Sequence, residues 1–334
     1  MKILVHGRLA APRAELLRSR AAPDWEVIGW APEDTPGEAP DAAFAARARD
    51  VDVLVGGAPP GGLWPPMPRA RLWQVPWTGL DFTAPDRVPA GLPVANTYEH
   101  ETTIAEYVMA AILEWQVGLR DMDARFRKGG WGGHPLAAGP QHREVRGRTV
   151  GIVGYGHIGR EVAVRAKAFG MRVVGIRRSA VPCPPELDWL GTPGDLQALL
   201  GASDFVVVAC DLNAETRGLI DGAALAAMRP DGVLINVGRG ACVDETALWQ
   251  ALTGGRIGGA VIDVWWNYPD GVGAQPWPAN HAFETLPNVI LSAHESATTP
   301  EMVARRWDFV AANIARVARG EAPRNVAFTG TAPL

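Results

Sequence analysis

Three glycines and a handful of polar side chains carry most of the chemistry this sequence offers. Gly154, Gly156 and Gly159 stand as G-x-G-x-x-G in VGYGHIG, after the apolar run Thr149–Val153. Residues 158–169 follow with helical spacing of Val162, Ala166 and Phe169, Gly170 is placed to stop that helix, and Arg172–Ile176 reads as the next strand. In this frame the first glycine permits a tight turn, the second lets backbone approach a pyrophosphate, and the third lets the helix pack on its strand. First-turn amides and the helix dipole then favour an anion. Gly154, Tyr155, Gly156, His157, Ile158 and Gly159 are therefore read as a dinucleotide cradle. An NAD site wants an acid at the end of the second strand to hold the ribose hydroxyls. Here Arg177 stands there, 18 residues after Gly159, with Arg178 and Ser179 behind it. No acid repels a 2′-phosphate and two guanidiniums can pair with it, so NADP(H) is expected over NAD(H).

Three further candidates follow predicted strands. Arg239, in INVGRG, could clamp a substrate carboxylate and stabilise oxyanion character at a carbonyl. His294, in LSAHES, could exchange a hydroxyl proton beside a nicotinamide. Asp263 ends the strand in AVIDVWWNYP. Taken singly, each has a plainer role: a surface arginine, a loop histidine, a helix cap or turn former.

The elements that must position these groups read as alternating strands and helices. Strands are expected at 2–6, 26–29, 51–55 and 72–75, with helices near 12–20 and 41–49. After the cradle, strands fall at 204–209, 232–237, 259–262 and 288–291, with helices near 195–200, 222–228 and 244–252. That alternation implies parallel sheets with ligand chemistry at the carboxyl ends of the strands. Residues 101–119 form a long amphipathic helix leading into the second domain, and 120–147 lack periodicity and read as a loop or interface arm. Residues 301–319 form a last amphipathic helix that returns to the first domain. The expected fold is α/β, with two doubly wound parallel-sheet domains. The coenzyme domain, 101–294, is inserted into a substrate domain of 1–100 plus 295–334.

A chain of 334 residues supports two such domains. A net charge of −4 gives no general pull toward nucleic acid or anionic membrane, and no apolar run reaches a membrane span. The N-terminal MKILVHG reads as a strand rather than a signal peptide. Three cysteines, without C-x-x-C or a metal-like cluster, fit reduced thiols in a cytoplasmic protein.

The order G-x-G-x-x-G, NVGRG, IDVWWNYP and LPNVILSAH, together with WTGLD at 77–81, VANT at 94–97 and the TTIAEY helix start, resembles the D-2-hydroxyacid dehydrogenases. The resemblance implies two flavodoxin-like domains and a homodimer formed through the coenzyme domains and the arm near Trp131. It implies that Arg239 binds the carboxylate and carbonyl of a 2-oxo acid, that His294 is the acid/base, and that Asp263 orients the nicotinamide carboxamide. It also implies that backbone amides at Gly56, Gly57, Thr78 and Gly79 bind the carboxylate, and that Thr103 lies by the coenzyme. Two residues depart from the family pattern. Tyr268 stands where most members have a glutamate that pairs with the histidine. A phenol can orient imidazole but carries no charge near neutral pH, so Tyr268 joins Arg239 and His294 as a catalytic candidate. Glu295 adjoins His294, but neighbouring side chains of an extended segment point apart. Asp211 stands where the family commonly has proline beside the adenosine.

The expected activity is NADPH-dependent reduction of a 2-oxo acid. The neutral Tyr268 keeps open oxidation of a formate- or phosphite-type anion, and the incomplete dyad keeps open a coenzyme-sensing binding module. Trp-rich loops near Gly56–Trp64, Trp77, Trp266, Trp277 and His281 point to an apolar or aromatic side chain on the acid.

Overall fold

A computed structural model describes residues 1–131, 141–269 and 277–333. Along the chain run β1 (Lys2–His6), α1 (Ala14–Arg18), β2 (Glu26–Trp30), α2 (Pro40–Ala48), β3 (Val53–Val55), β4 (Leu72–Gln74), β5 (Pro93–Ala95), α3 (Glu101–Val117) and α4 (Leu119–Gly129). Then come β6 (Thr149–Val153), α5 (His157–Ala168), β7 (Arg172–Ile176), β8 (Trp189–Gly191), α6 (Leu196–Ala202), β9 (Phe205–Val208), α7 (Gly222–Ala227), β10 (Val233–Asn236), α8 (Glu245–Thr253), β11 (Gly259–Ile262), β12 (Val289–Leu291), α9 (Pro300–Ala318) and β13 (Val326–Thr329). The chain divides into two compact units, Met1–His100 with Thr299–Leu334, and Glu101–Thr298.

The first unit holds a six-stranded sheet in the order β13-β5-β4-β3-β1-β2. Its strands run parallel except β13, which is antiparallel to β5, so the sheet is mixed where an all-parallel one was expected. The short strands β5 and β13 lack the long apolar run that marks β1 in the sequence. Helix α9 begins at a capped turn, with Thr299 Oγ1 accepting from Met302 N–H and Pro300 in the first turn, where its missing donor costs nothing. It buries Trp307, Val310, Ile314 and Val317 against Ile3, Val5, Leu17, Val53 and Leu72. Asn313, also buried, donates to Gln74 Oε1 at 2.6 Å and to the Arg324 carbonyl at 3.0 Å. The chain's last helix thus completes the core begun by its first strand.

The second unit holds a seven-stranded sheet in the order β12-β11-β10-β9-β6-β7-β8, parallel throughout. The order reverses direction at β6, where crossovers diverge and a ligand crevice opens. Helix α3 buries Ile104, Val108 and Ile112 beside α5, and the Trp115 ring lies so close to β11 that a Cβ on Gly259 would sit 2.0 Å from it. Asp221 and Asp244 cap α7 and α8 through side-chain bonds to Ala224 and Ala247 amides. Part of the segment expected to be an aperiodic loop is helical instead: α4 spans Leu119–Gly129, and residues 132–140 lie outside the described ones. Helix α4 keeps Leu119 and Phe126 exposed, with Trp131 just beyond it edge-on to Phe126. None of the described helices is long and apolar enough to cross a membrane, and no group of three or more His, Cys, Asp or Glu among the described residues is placed to hold a metal.

Candidate active site

The three cradle glycines divide the labour that their spacing implied. Gly154 has φ +94°, and a Cβ there would stand 2.6 Å from Cys210 Cα, so the turn excludes any side chain. A Cβ on Gly159 would stand 2.9 Å from Ile152 Cγ2, which is the close approach of α5 to β6. A Cβ on Gly156 would meet no protein atom within 4 Å. The bare backbone at Gly156 therefore faces away from the protein, at the first turn of a 12-residue helix whose dipole favours an anion. A pyrophosphate fits that cradle.

Tyr155, by contrast, turns inward. Its hydroxyl donates to Glu186 Oε1 at 2.6 Å. Burial, and then that carboxylate, push the phenol upward, while the hydrogen bond holds Glu186 below the ordinary carboxylate range. Arg160 sits 3.3 Å from the same carboxylate. The pair ties the cradle to the loop that follows β7. At the end of β7, Arg177 is half-buried, and Arg178 and Ser179 are exposed. Neither guanidinium pairs with an acid among the described residues.

Arg239, Asp263 and His294 leave the carboxyl ends of β10, β11 and β12, three adjacent parallel strands. Strands lie ~4.8 Å apart, so the outer two of these are separated by roughly 10 Å, within reach of one small substrate. The Arg239 turn is held by Asn236 Nδ2 and Cys242 N–H, both donating to the Arg239 carbonyl. Gly240 then passes so close to the next strand's end that a Cβ would lie 2.1 Å from the Trp265 carbonyl oxygen. The Trp265 amide donates to the Tyr268 hydroxyl at 3.2 Å, and that hydroxyl lies 2.9 Å from His294 Nδ1. A continuous set of contacts thus runs from the arginine turn to the imidazole.

His294 itself has φ +59°, a left-handed conformation uncommon for a residue with a side chain. Asp263 holds it there. The Asp263 carbonyl accepts the His294 amide at 2.8 Å. The carboxylate, fully buried, accepts from Ser292 Oγ at 2.6 Å, Glu295 N–H at 2.8 Å and Ser296 N–H at 3.2 Å. Tyr107 reaches Ser292 Oγ from α3 at 2.7 Å. The Asp263 carboxylate is thus engaged by the histidine loop, a role the spacing did not suggest. Ser292, Tyr107 and the Trp265 amide are supports that sequence reading passed over. Only a serine two residues before the histidine hinted at them.

Thr103 is buried on the first turn of α3. Trp266 stacks on Phe283 and donates to the Val243 carbonyl, while His281 stacks on Trp249. Those two rings pack on the unit's own core rather than on an open wall.

In the first unit, Gly56 and Gly57 follow β3 and Thr78 and Gly79 follow β4, its parallel neighbour. Trp77 joins the two loops, its ring 3.3 Å from where a Gly57 Cβ would be. The Gly56 amide is committed to the Gln74 carbonyl at 3.1 Å, and the Gly56 carbonyl accepts from Trp73 Nε1. Gly56 therefore shapes the loop while its N–H is spent. The Gly57 amide donates to no described group. His6, at the end of β1, was not anticipated. Its ring is 2% exposed, packs on Phe44 and lies under Gly56, and its Nε2 has no hydrogen-bond partner. Burial lowers its pKa to about 4, partly offset by a bond to the Gly57 backbone.

Residues 109–296 match the family described as D-isomer specific 2-hydroxyacid dehydrogenase, NAD binding domain. The chain is 34% identical over 310 residues to a glyoxylate reductase of Thermococcus gammatolerans, covering 90% of this chain and 88% of that one. It is 33% identical over 260 residues to a 2-ketogluconate reductase of Gluconobacter oxydans, covering 77% and 79%. Among solved structures, it is similar to an NADPH-dependent glyoxylate/hydroxypyruvate reductase of Sinorhizobium meliloti in complex with NADP and sulfate. The TM-score is 0.74 at 25% identity, over 98% of each chain. A family match over more than half the chain, joined to a relative above 30% identity along most of its length, makes this protein a member of the D-isomer specific 2-hydroxyacid dehydrogenase family.

Proposed function

We propose that the protein is an NADPH-dependent 2-oxo acid reductase. The observation that carries this reading is the placement of Arg239 and His294 on one sheet edge, with the imidazole oriented through Nδ1 by Tyr268. The coenzyme, when bound, supplies hydride chemistry. Everything else falls to the chain. Arg239 clamps the carboxylate and draws negative charge onto the carbonyl oxygen. With Nδ1 engaged by the phenol, Nε2 of His294 is the ring nitrogen that gives a proton to that oxygen. Asp263 and Ser292 hold the histidine loop, and Asp263 also serves the coenzyme side of the site. Gly57, with the Thr78–Gly79 loop, adds backbone donors for the carboxylate, and Thr103 lies by the coenzyme. Arg177, Arg178 and Ser179 take the 2′-phosphate. The exposed Leu119, Phe126 and Trp131 supply apolar surface for a homodimer, and the working compartment is the cytoplasm.

The test is a coenzyme and substrate panel on purified protein. NADPH is consumed with glyoxylate, hydroxypyruvate or a larger 2-oxo acid, and consumption with NADH is weaker. Replacing Arg177 and Arg178 by alanine raises KM for NADPH and leaves that for NADH nearly unchanged. Failure of every 2-oxo acid would remove the reading. The neutral partner of His294 favours one other reading, oxidation of a formate- or phosphite-type anion. Coenzyme reduction with either anion, and none with 2-hydroxy acids, would select it.

A further inference from the structure

We propose that Cys210 and Cys242 are a peroxide-sensitive dithiol site, which closes to a disulfide beside the coenzyme cradle and weakens coenzyme binding when it does. The second half rests on the coenzyme reading above, and the first half does not. The two residues lie 32 positions apart, and the fold brings their sulfurs to 3.9 Å, with the Cys210 thiol donating to Cys242 Sγ. A disulfide requires about 2.05 Å, so the sulfurs must close by a little under 2 Å. Rotation about the Cα–Cβ bonds and a shift of the backbone can each contribute to that movement.

Neither backbone is free to move without consequence. Cys210 is wedged between two glycines: a Cβ on Gly154 would stand 2.6 Å from its Cα, and one on Gly238 would stand 2.8 Å from its carbonyl oxygen. Cys242 closes the turn of Gly240–Cys242, with its amide on the Arg239 carbonyl at 3.1 Å. Any part of the closure taken up by the backbone therefore strains the first cradle glycine, the arginine turn, or both. Cys242 is buried and Cys210 is partly exposed, so a small oxidant reaches the pair from the Cys210 side. The Cys210 hydrogen bond also holds the Cys242 thiol below its ordinary range, while Cys210 is raised by the same contact. Cys242 is thus suited to attack an oxidised sulfur on Cys210 from within the protein.

The chemistry balances with hydrogen peroxide as the oxidant. Cys210 sulfur, the one within reach of the oxidant, attacks one peroxide oxygen, the O–O bond breaks, and one water leaves with a sulfenic acid formed. Cys242 sulfur then attacks the sulfenic sulfur, the S–O bond breaks, and a second water leaves. Two thiol protons and two electrons pass to the peroxide. Cys183 is exposed and stands apart from this pair, so it serves as an internal control.

The experiment treats reduced full-length protein with a slight excess of hydrogen peroxide. It reads intact mass, tryptic cross-links and NADPH affinity by fluorescence. The expected result is a loss of about 2 Da, a peptide linking Cys210 to Cys242, and an NADPH Kd raised by about 5-fold or more, all reversed by dithiothreitol. Cys210→Ser and Cys242→Ser each abolish the cross-link and make Kd the same before and after peroxide, whereas Cys183→Ser behaves as the parent. Oxidation confined to Cys183, or a disulfide that leaves Kd unchanged, overturns the proposal. A reduced protein that fails to bind NADPH removes the coenzyme reading and, with it, the claimed effect on binding. A missing cross-link in protein that does bind NADPH removes the dithiol alone.

Discussion

At the scale of single residues, His294 has a phenol as its Nδ1 neighbour, and the role proposed for the ring can be measured. His294→Ala is expected to lower kcat for reduction by roughly 10²–10⁴ with NADPH affinity retained; an unaltered rate would take the imidazole out of the reaction. Tyr268→Glu places a carboxylate at Nδ1, favours the imidazolium, and is expected to move the alkaline limb of the reduction profile to higher pH. An unmoved limb would mean that residue 268 does not touch the ring in solution. His6 makes a third prediction. Its folded pKa of about 4 lies below the ordinary 6.5, so the unfolded chain binds the proton more tightly. Its stabilising contribution is complete above pH 6.5 and is lost as pH falls toward 4, by about 3 kcal/mol across that window. Thermal unfolding compared between the parent and His6→Gln over pH 4–7 reads this, and parallel curves would refute it. Tyr268 could be found in the sequence because its place relative to Asp263 matches a family pattern. His6 could not, because its unmet nitrogen depends on Phe44 and Gly56, each some 40 to 50 positions away.

At the scale of elements, the site depends on turns that pass within contact of one another. Gly240→Ala would force a methyl against the Trp265 carbonyl, where backbone rather than a flexible side chain must yield. The expected cost is about 1–3 kcal/mol of stability. KM for the 2-oxo acid is expected to rise more than KM for NADPH, because the arginine turn is displaced; retained stability and kinetics would mean the turn relaxes freely. Which elements were legible follows from the same physics. β1, β6, β9, β10 and β11 read clearly because buried parallel strands are short unbroken apolar runs. β5, β8 and β13 did not, since three or four residues with proline or glycine beside them carry no period. Helix α4 was lost among charged residues, its few apolar side chains facing outward. Asp263 was placed at the right strand end. Its engagement with three donors around the histidine depends on the bend of residues 292–296, which no spacing encodes.

At the scale of the whole molecule, the first unit is assembled from both ends of the chain, and α9 decides whether it holds. Trp307, Val310, Ile314 and Val317 bury side chains worth about 1.5–3 kcal/mol each. Their sum rivals the net stability of ~5–15 kcal/mol typical of a domain. A chain ended after residue 298 is therefore expected to lose protease resistance within residues 1–100 and to keep it within 101–298. Equal resistance in both segments would show that the first unit stands without its last helix. The discontinuity has a further consequence during synthesis. At ~5–20 residues per second, the ribosome needs roughly 10–40 seconds to pass from the end of the opening segment to α9. Throughout that interval the face of β1 and β3 that α9 covers has only the short α1 beside it, while the nucleotide-binding portion emerges whole and can fold. Folding order runs against chain order here: the opening hundred residues leave the ribosome first and complete their core last.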